Sequence, residues 1–271
     1  MCNDQPSLLR RLDGNVLVLT LHRPTRNNAW NRDLEESLHA QLFAAAKDRE
    51  IRAIVLTGHG RMFCPGADSD DLTEFGSSGR GYETGGRHRS TLLTIVPKPV
   101  ITAINGGCAG VGLALALMTD IRFAADEATI SPAFSRRGLP AEEAISWFLP
   151  RIIGHAAALE LLLSSRPIKG PAAASLGMVH RSLPRESLMP TVLEYAHDLV
   201  ANCSPRAMAD IKRQIYLDWE CSMEDSRRES RRLVANAFKD PDFVEGVQSF
   251  LEQRSPSFQG YAASVELDTS I

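Results

Sequence analysis

A chain of 271 residues, 44% of them hydrophobic, is long enough to bury a sizeable core and fits one domain with a helical appendage. A net charge of −3 supplies no electrostatic footprint for nucleic acid, which sets an RNA-binding role aside. The five cysteines (Cys2, Cys64, Cys108, Cys203, Cys221) are scattered, with neither CxxC nor metal-ligand spacing, and their odd number argues against a disulfide framework.

A reducing cytoplasmic setting is therefore expected. No leader pattern opens the chain, and no apolar run approaches the roughly 20 residues that span a bilayer, so neither export nor membrane insertion is expected.

In chain order, "NVLVLTLHRP" alternates like a strand and stops at Pro24, and "RDLEESLHAQLFAAAKD" has helical spacing. Ala53 to Thr57 reads as a buried β-branched strand, followed by a loop closing at Gly66-Ala67-Asp68 ahead of another helix. "GSSGRGYETGG", Gly76 to Gly86, reads as a solvated loop or a wall beside a site. "PVITAIN" is a second buried strand, and strands alternating with helices imply a largely parallel layer. From Arg185 onward the pattern is helical, with segments predicted near Glu186–Ala201, Pro205–Leu217, Ser222–Phe238 and Pro241–Gln253.

"INGGCAGVGLALALMTD", Ile104 to Asp120, places four glycines between a strand and an apolar helix. A dinucleotide fingerprint fails because the third glycine position, counted from Gly110 and Gly112, is Leu115. A P-loop fails because Leu113 follows Gly112 where lysine is required. What remains is a turn with unblocked amides ahead of a helix whose first N–H groups lack internal partners. Two such turns, at Gly66-Ala67-Asp68 and Gly110-Val111, would form an oxyanion hole if they converged on one carbonyl. Each turn alone is equally well read as tight packing or a sharp bend.

Taken together, "HRPTRNNAWN", "VLTGHGRMFCPGADSDDL", "KPVITAINGGCAGVGLALALMTDIRFAADEATI" and "ISWFLPRIIG" resemble the crotonase superfamily, the enoyl-CoA hydratase/isomerase group. The tail "FLEQRSPSFQG" is similar too, so the resemblance runs through nearly the whole chain. It implies an α/β fold with a crotonase-like ββα spiral core over residues 1–200 and a C-terminal helical trimerisation region over residues 201–271. A homotrimer or hexamer is implied, acting on an acyl-CoA thioester whose coenzyme A is part of the substrate, with no separate cofactor and no metal.

Carried over by motif, the oxyanion amides fall on Ala67 and on Val111, which follows Gly110. The CoA-binding loops correspond to Arg26 and Ala29 and to Pro65, Gly66, Asp68 and Ser69; a helix N-cap is the competing role for Asp68. Phe250 and Gln253 would approach the adenine end across a subunit interface. The two glutamates of a hydratase correspond here to Ala114 and Phe134, neither of which transfers a proton and the second of which would line the acyl site.

The resemblance leaves Glu142 as the candidate acid/base, with its neighbour Glu143 as rival and a helix-start carboxylate as the competing role. Cys64 and Cys108 lie near the turns, where small packing residues are the alternative to nucleophiles, and His88 follows the Gly-rich loop. The expected activity is that of an enoyl-CoA hydratase/isomerase with a non-standard acid/base, or a non-catalytic acyl-CoA binder.

Overall fold

The computed structural model describes residues 6–78 and 91–263. Strands β1 (Leu8–Asp13) and β2 (Val16–Leu21) form an antiparallel hairpin whose turn uses Gly14 at φ +57°. Helix α1 (Arg32–Lys47) follows, its first turn capped by the Asn31 side chain, which accepts from the Leu34 amide at 3.1 Å. Leu34, Leu38 and Leu42 recur every four residues and bury one helix face.

A two-strand unit then repeats. Strand β3 (Ala53–Gly58) leads into β4 (Met62–Cys64) and helices α2 (Ser69–Ser78) and α3 (Leu92–Ile95). Strand β5 (Val100–Ile104) leads into β6 (Gly107–Ala109) and helix α4 (Val111–Leu117). Strand β7 (Ile121–Ala125) leads into β8 (Thr129–Ser131) and helices α5 (Ile145–Ile153) and α6 (His155–Ser164). The first strand of each unit joins one sheet and the second joins another, which makes the chain a ββα spiral.

Strand β9 (Ile168–Lys169), helix α7 (Gly170–Ser175) and strand β10 (Arg181–Leu183) complete the layers. The larger sheet runs β1-β2-β3-β5-β7-β10 and is parallel from β2 onward; the smaller runs β4-β6-β8-β9, antiparallel only at β8–β9. Strands β3 and β5 are buried along their whole length, as continuous apolar runs covered on both faces must be.

Helix α8 (Arg185–Asn202) packs across β2, β3, β5 and β7, burying Leu188, Val192 and Ala196. Helices α9 (Pro205–Asp218), α10 (Met223–Ala237) and α11 (Pro241–Leu251) follow, each capped by a side chain, from Ser204, Ser222 and Asp240. The segment beyond α11 returns to the core, where Phe258 and Tyr261 carbonyls accept from Arg52 and Lys98.

Candidate active site

Two asparagines build the platform on which the glycine turns sit. Asn105, at the end of β5, accepts from the Gly58 amide at 3.0 Å and donates to the carbonyls of Gly58 and Gly60. Asn28 donates to the His59 and Met62 carbonyls, so the loop around residue 28 and the β3–β4 connection are fixed to one another. Buried amides of this kind hold only if their hydrogen bonds are met, and here they lock two loops into register.

The first turn follows β4. The Trp30 amide donates to the Gly66 carbonyl at 2.8 Å, and the Asp68 amide donates to the Trp30 carbonyl at 2.8 Å. This parallel bridge occupies the side of the turn facing Trp30, so the N–H of Ala67 between them points the other way. The second turn follows β6, where Gly110 adopts φ 53°, ψ −126° and releases the chain into α4 with Val111 as its first residue. Among the described residues, neither the Ala67 nor the Val111 amide donates a hydrogen bond.

Pairing of β4 with β6, Cys64 opposite Cys108, sets the turns side by side. A Cβ on Gly110 would stand 3.7 Å from the Gly66 α-carbon, and one on Gly66 would stand 3.3 Å from the Ala109 carbonyl oxygen. A cavity of about 30 Å³ opens on both turns, lined by Ala67, Gly110, Val111, Leu72, Phe134, Arg137, Leu139 and Glu142. Two free amides beside an apolar cavity with one carboxylate can bind a carbonyl oxygen and stabilise negative charge that develops on it.

Glu142 precedes α5 rather than opening it. Glu143 (φ 50°) and Ala144 (φ 53°) both take the left-handed conformation before the helix starts at Ile145, whose first turn holds no acid. The helix-start role is therefore not the one the chain gives these carboxylates. Two consecutive non-glycine residues at positive φ cost about 1–2 kcal/mol each, which the surrounding fold must offset. Although Glu142 is exposed as a whole, partial desolvation, and then the neighbouring Glu143, raise its pKa above the ordinary value. Glu35 of α1 is raised as well, by partial burial and then by Glu143.

The other expected site residues divide between two places. Arg26, Asp68 and Ser69 cluster beside the first turn: Arg26 pairs with Asp70 at 2.5 Å and stands 3.9 Å from Asp68. The buried Asp68 carboxylate bonds Arg23 at 2.8 Å and accepts from the Asp70 amide at 3.2 Å, which is the geometry of an N-cap to α2. Ala29 is buried and its carbonyl accepts from Arg23, while Pro65 is half-buried ahead of Gly66. Phe250 and Gln253 lie at the C-terminal end of α11, outside the cavity, with Phe250 81% exposed. Ala114 is enclosed within α4 and does not line the cavity, whereas Phe134 does.

Burial pushes the Cys64 thiol up to about 12 and Cys108 well above its ordinary value, so both remain protonated packing groups. His88 and most of the Gly-rich stretch lie outside the described residues, and Gly76–Ser78 belong to α2. Among the described residues no cluster of His, Cys, Asp or Glu could hold a metal ion, and no helix is long and apolar enough to cross a membrane. A larger apolar groove of about 370 Å³ lies elsewhere, between α9 and the sheet. It touches none of the free amides, and its Lys212, Asp120 and Arg122 are already bonded to one another or to backbone, so the small cavity is the candidate site.

The enoyl-CoA hydratase/isomerase family profile matches residues 11–261. The chain belongs to the enoyl-CoA hydratase/isomerase family. Its relatives include a probable enoyl-CoA hydratase of Bacillus subtilis (strain 168), 35% identical over 258 residues that cover 92% of this chain and 97% of that protein. A 1,2-epoxyphenylacetyl-CoA isomerase of Escherichia coli (strain K12) is 35% identical over 264 residues, covering 93% of this chain and 98% of that protein. The crystal structure of an enoyl-CoA hydratase from Polaromonas sp. JS666 superposes with a TM-score of 0.87 at 28% identity, covering 93% of this chain and 99% of that one.

The crotonase fold expected from the motifs is thus the fold found, with a helical C-terminal region. For this enoyl-CoA hydratase/isomerase family member, motif reading did not single out Arg23, Asn28, Asn105 or Arg137. Asn28 and Asn105 lay inside quoted motifs; Asn105 stands directly ahead of Gly106-Gly107, whereas no glycine near Asn28 marks it in the sequence. Arg137 is visible only once the turn after β8 is seen to face the cavity.

Proposed function

We propose that this protein acts on acyl-CoA thioesters, with the Ala67 and Val111 amides receiving the thioester oxygen and Glu142 moving the proton. The observation that carries this reading is the pair of undonated amides on adjacent turns, opening on one cavity with Glu142. Removing a proton from the α-carbon places charge on the thioester oxygen, and two fixed amides are worth most when that charge appears. Glu142 would accept the proton and return it to another carbon, a task suited to a carboxyl whose pKa is raised towards working pH.

Ala114 and Phe134 occupy the two glutamate positions that the motif register assigns, which disfavours hydration by a carboxylate pair. A single shuttling acid fits double-bond isomerisation, or a hydration with one acid, and relatives named for each class stand at 35% identity. No cofactor beyond the coenzyme A of the substrate enters, because enolate stabilisation and proton transfer involve no electron exchange. Arg26, Ala29, Pro65, Gly66, Asp68 and Ser69 would hold the coenzyme A portion along the first turn.

The same reading makes the protein a homotrimer or hexamer in which Phe250 and Gln253 reach a neighbour's site. Apolar side chains left open on the last two helices support it, among them Met223 at 85%, Phe250 at 81% and Leu251 at 73% exposure. A reducing cytoplasmic location accords with the free thiols of Cys64, Cys108, Cys203 and Cys221.

The test is a panel of saturated, enoyl and aromatic CoA thioesters scored by mass spectrometry for binding and conversion. Conversion of an enoyl thioester supports the enzyme. Binding without conversion of any member would favour the non-catalytic acyl-CoA binder, which the carbon-only side chains of Ala114 and Phe134 also permit. Absence of binding to every thioester would refute both.

A further inference from the structure

Arg137 lies in a 3₁₀ turn, Ser135–Arg137, between β8 and α5, and Gly138 closes the turn at φ +72°. The turn is pinned from behind: Ser135 Oγ donates to the Leu163 carbonyl at 2.8 Å, and Arg136 Nε donates to the Ser164 carbonyl at 3.0 Å. Arg136 is thereby tied to the end of α6. Arg137, exposed as a whole, lines the cavity shared by Ala67, Val111, Phe134, Leu139 and Glu142. Its Nη1 would stand 3.7 Å from a Cβ on Gly66, one residue from the Ala67 amide.

Among the described residues the Arg137 side chain makes no hydrogen bond and no ion pair, and Glu142 in the same cavity lies beyond ion-pair reach. The two other arginines near this site are committed, Arg23 to Asp68 and Arg26 to Asp70. A guanidinium is permanently charged and presents a planar fork that matches a carboxylate in two parallel hydrogen bonds. An uncommitted one lining a ligand cavity calls for an anion on the ligand.

Resting on the thioester reading above, we infer that the acyl group carries a carboxylate, so that the substrate is a short dicarboxylic acyl thioester anchored at its far end by Arg137. The side of the cavity decides between the two anionic parts of such a ligand. Arg26, Asp68 and Ser69, three of the residues proposed to hold coenzyme A, lie outside the cavity, whereas Arg137 lines it with both free amides, Phe134, Leu139 and Glu142, its Nη1 also standing 3.7 Å from a Cβ built on Gly66. On that lining the anion at Arg137 is assigned to the acyl group, and the pantetheine arm below separates it from a coenzyme A phosphate. The guanidinium also offsets the second negative charge that such a substrate brings close to Glu142.

The experiment measures affinities of matched acyl thioesters, one ending in a carboxylate and one in a methyl group, each as a CoA ester and as a phosphate-free pantetheine ester. The wild-type protein should favour the carboxylate-ended member about tenfold to a hundredfold, the usual worth of a charge-assisted hydrogen-bonded pair. In Arg137→Gln that ratio should fall close to one, and Arg137→Lys should restore part of it. A wild-type ratio near one, or a ratio unchanged by Arg137→Gln, overturns the inference while leaving thioester binding intact. Loss of affinity confined to the CoA esters would reassign Arg137 to a phosphate and overturn it as well. Failure of every thioester to bind would overturn the functional reading together with this one.

Discussion

Gly112 stands against Cys64 so closely that a Cβ built on it would lie 2.4 Å from the Cys64 carbonyl oxygen and 2.9 Å from its Sγ. Helix α4 can approach the end of β4, and bring Val111 beside Ala67, only because residue 112 has no side chain. In an unconstrained helix Gly→Ala would stabilise by about 1 kcal/mol. Here the obstacle is backbone, which cannot swing aside, so Gly112→Ala should destabilise by about 1–3 kcal/mol, as overpacking does. It should also weaken thioester binding by moving one amide away from the other. Denaturation curves and thioester titration check both, and a variant more stable than wild type would remove the packing argument.

Lys212 of α9 reaches into the core to meet Asp120, Nζ to Oδ2 at 2.8 Å, and also donates to the carbonyls of Leu93 and Lys98. The same carboxylate oxygen accepts from the Val100 amide at 2.7 Å, so one buried pair links α9 to the start of β5. Removing either partner leaves the other charge buried, and each of Lys212→Met and Asp120→Asn should cost about 3–5 kcal/mol. The double variant should cost clearly less than the two together, since neither charge is then stranded. A double-mutant cycle by urea denaturation measures this. Strict additivity would mean that the pair is not coupled.

Much of this fold was legible because burial leaves periodic traces. The strand at Ala53–Gly58, helix α1 and the four C-terminal helices fall within a residue or two of their predicted bounds. Strands β4, β6 and β8 were not legible: at three residues each they show no alternation, and β4 and β6 run straight into glycine turns. The β1 strand was missed although Asp13-Gly14 is a hairpin signal, because Arg10 and Arg11, consecutive and both exposed, break the alternation of one apolar face. The turn residues Ala67 and Val111 were readable from glycine placement and family motifs. Arg137 was not, because a polar residue in a loop gives no sign of the cavity it faces.

Lys98 is buried, with its ammonium donating to the carbonyls of Asp48, Ile51 and Tyr261. Desolvation outweighs these bonds and pushes its pKa down from 10.5 to about 8. Below that value both folded and unfolded chains carry the proton, and the burial cost is present in full. Between about 8 and 10.5 the folded protein releases the proton while the unfolded chain retains it, so the unfolded state binds more protons and stability rises with pH. The contribution across that window is about 3 kcal/mol at most. Stability of wild type relative to Lys98→Met should therefore increase from pH 7.5 to about 9.5 in denaturant titrations. A difference independent of pH would show that Lys98 stays charged in the folded state.

Glu142 and Glu143 are adjacent in sequence but differ in what they face: Glu142 lines the cavity with the two free amides, and Glu143 does not. If Glu142 moves the substrate proton, Glu142→Gln keeps the side-chain shape and removes the titrating group. Turnover should drop about 10²–10⁴-fold, the usual loss when a general acid/base is deleted, with thioester affinity nearly unchanged. Glu143→Gln should act in the opposite, milder sense. Removing the neighbouring negative charge lowers the Glu142 pKa towards its ordinary value, because Glu143 is one of the two causes that raise it. The acidic limb of the pH–rate profile, where activity appears as Glu142 loses its proton, should then shift to lower pH in Glu143→Gln. Burial, the larger cause, is untouched by that substitution, so the limb should stay above the position of an ordinary carboxylate. Full turnover in Glu142→Gln, or an acidic limb that does not respond to Glu143→Gln, would assign the proton transfer to another group.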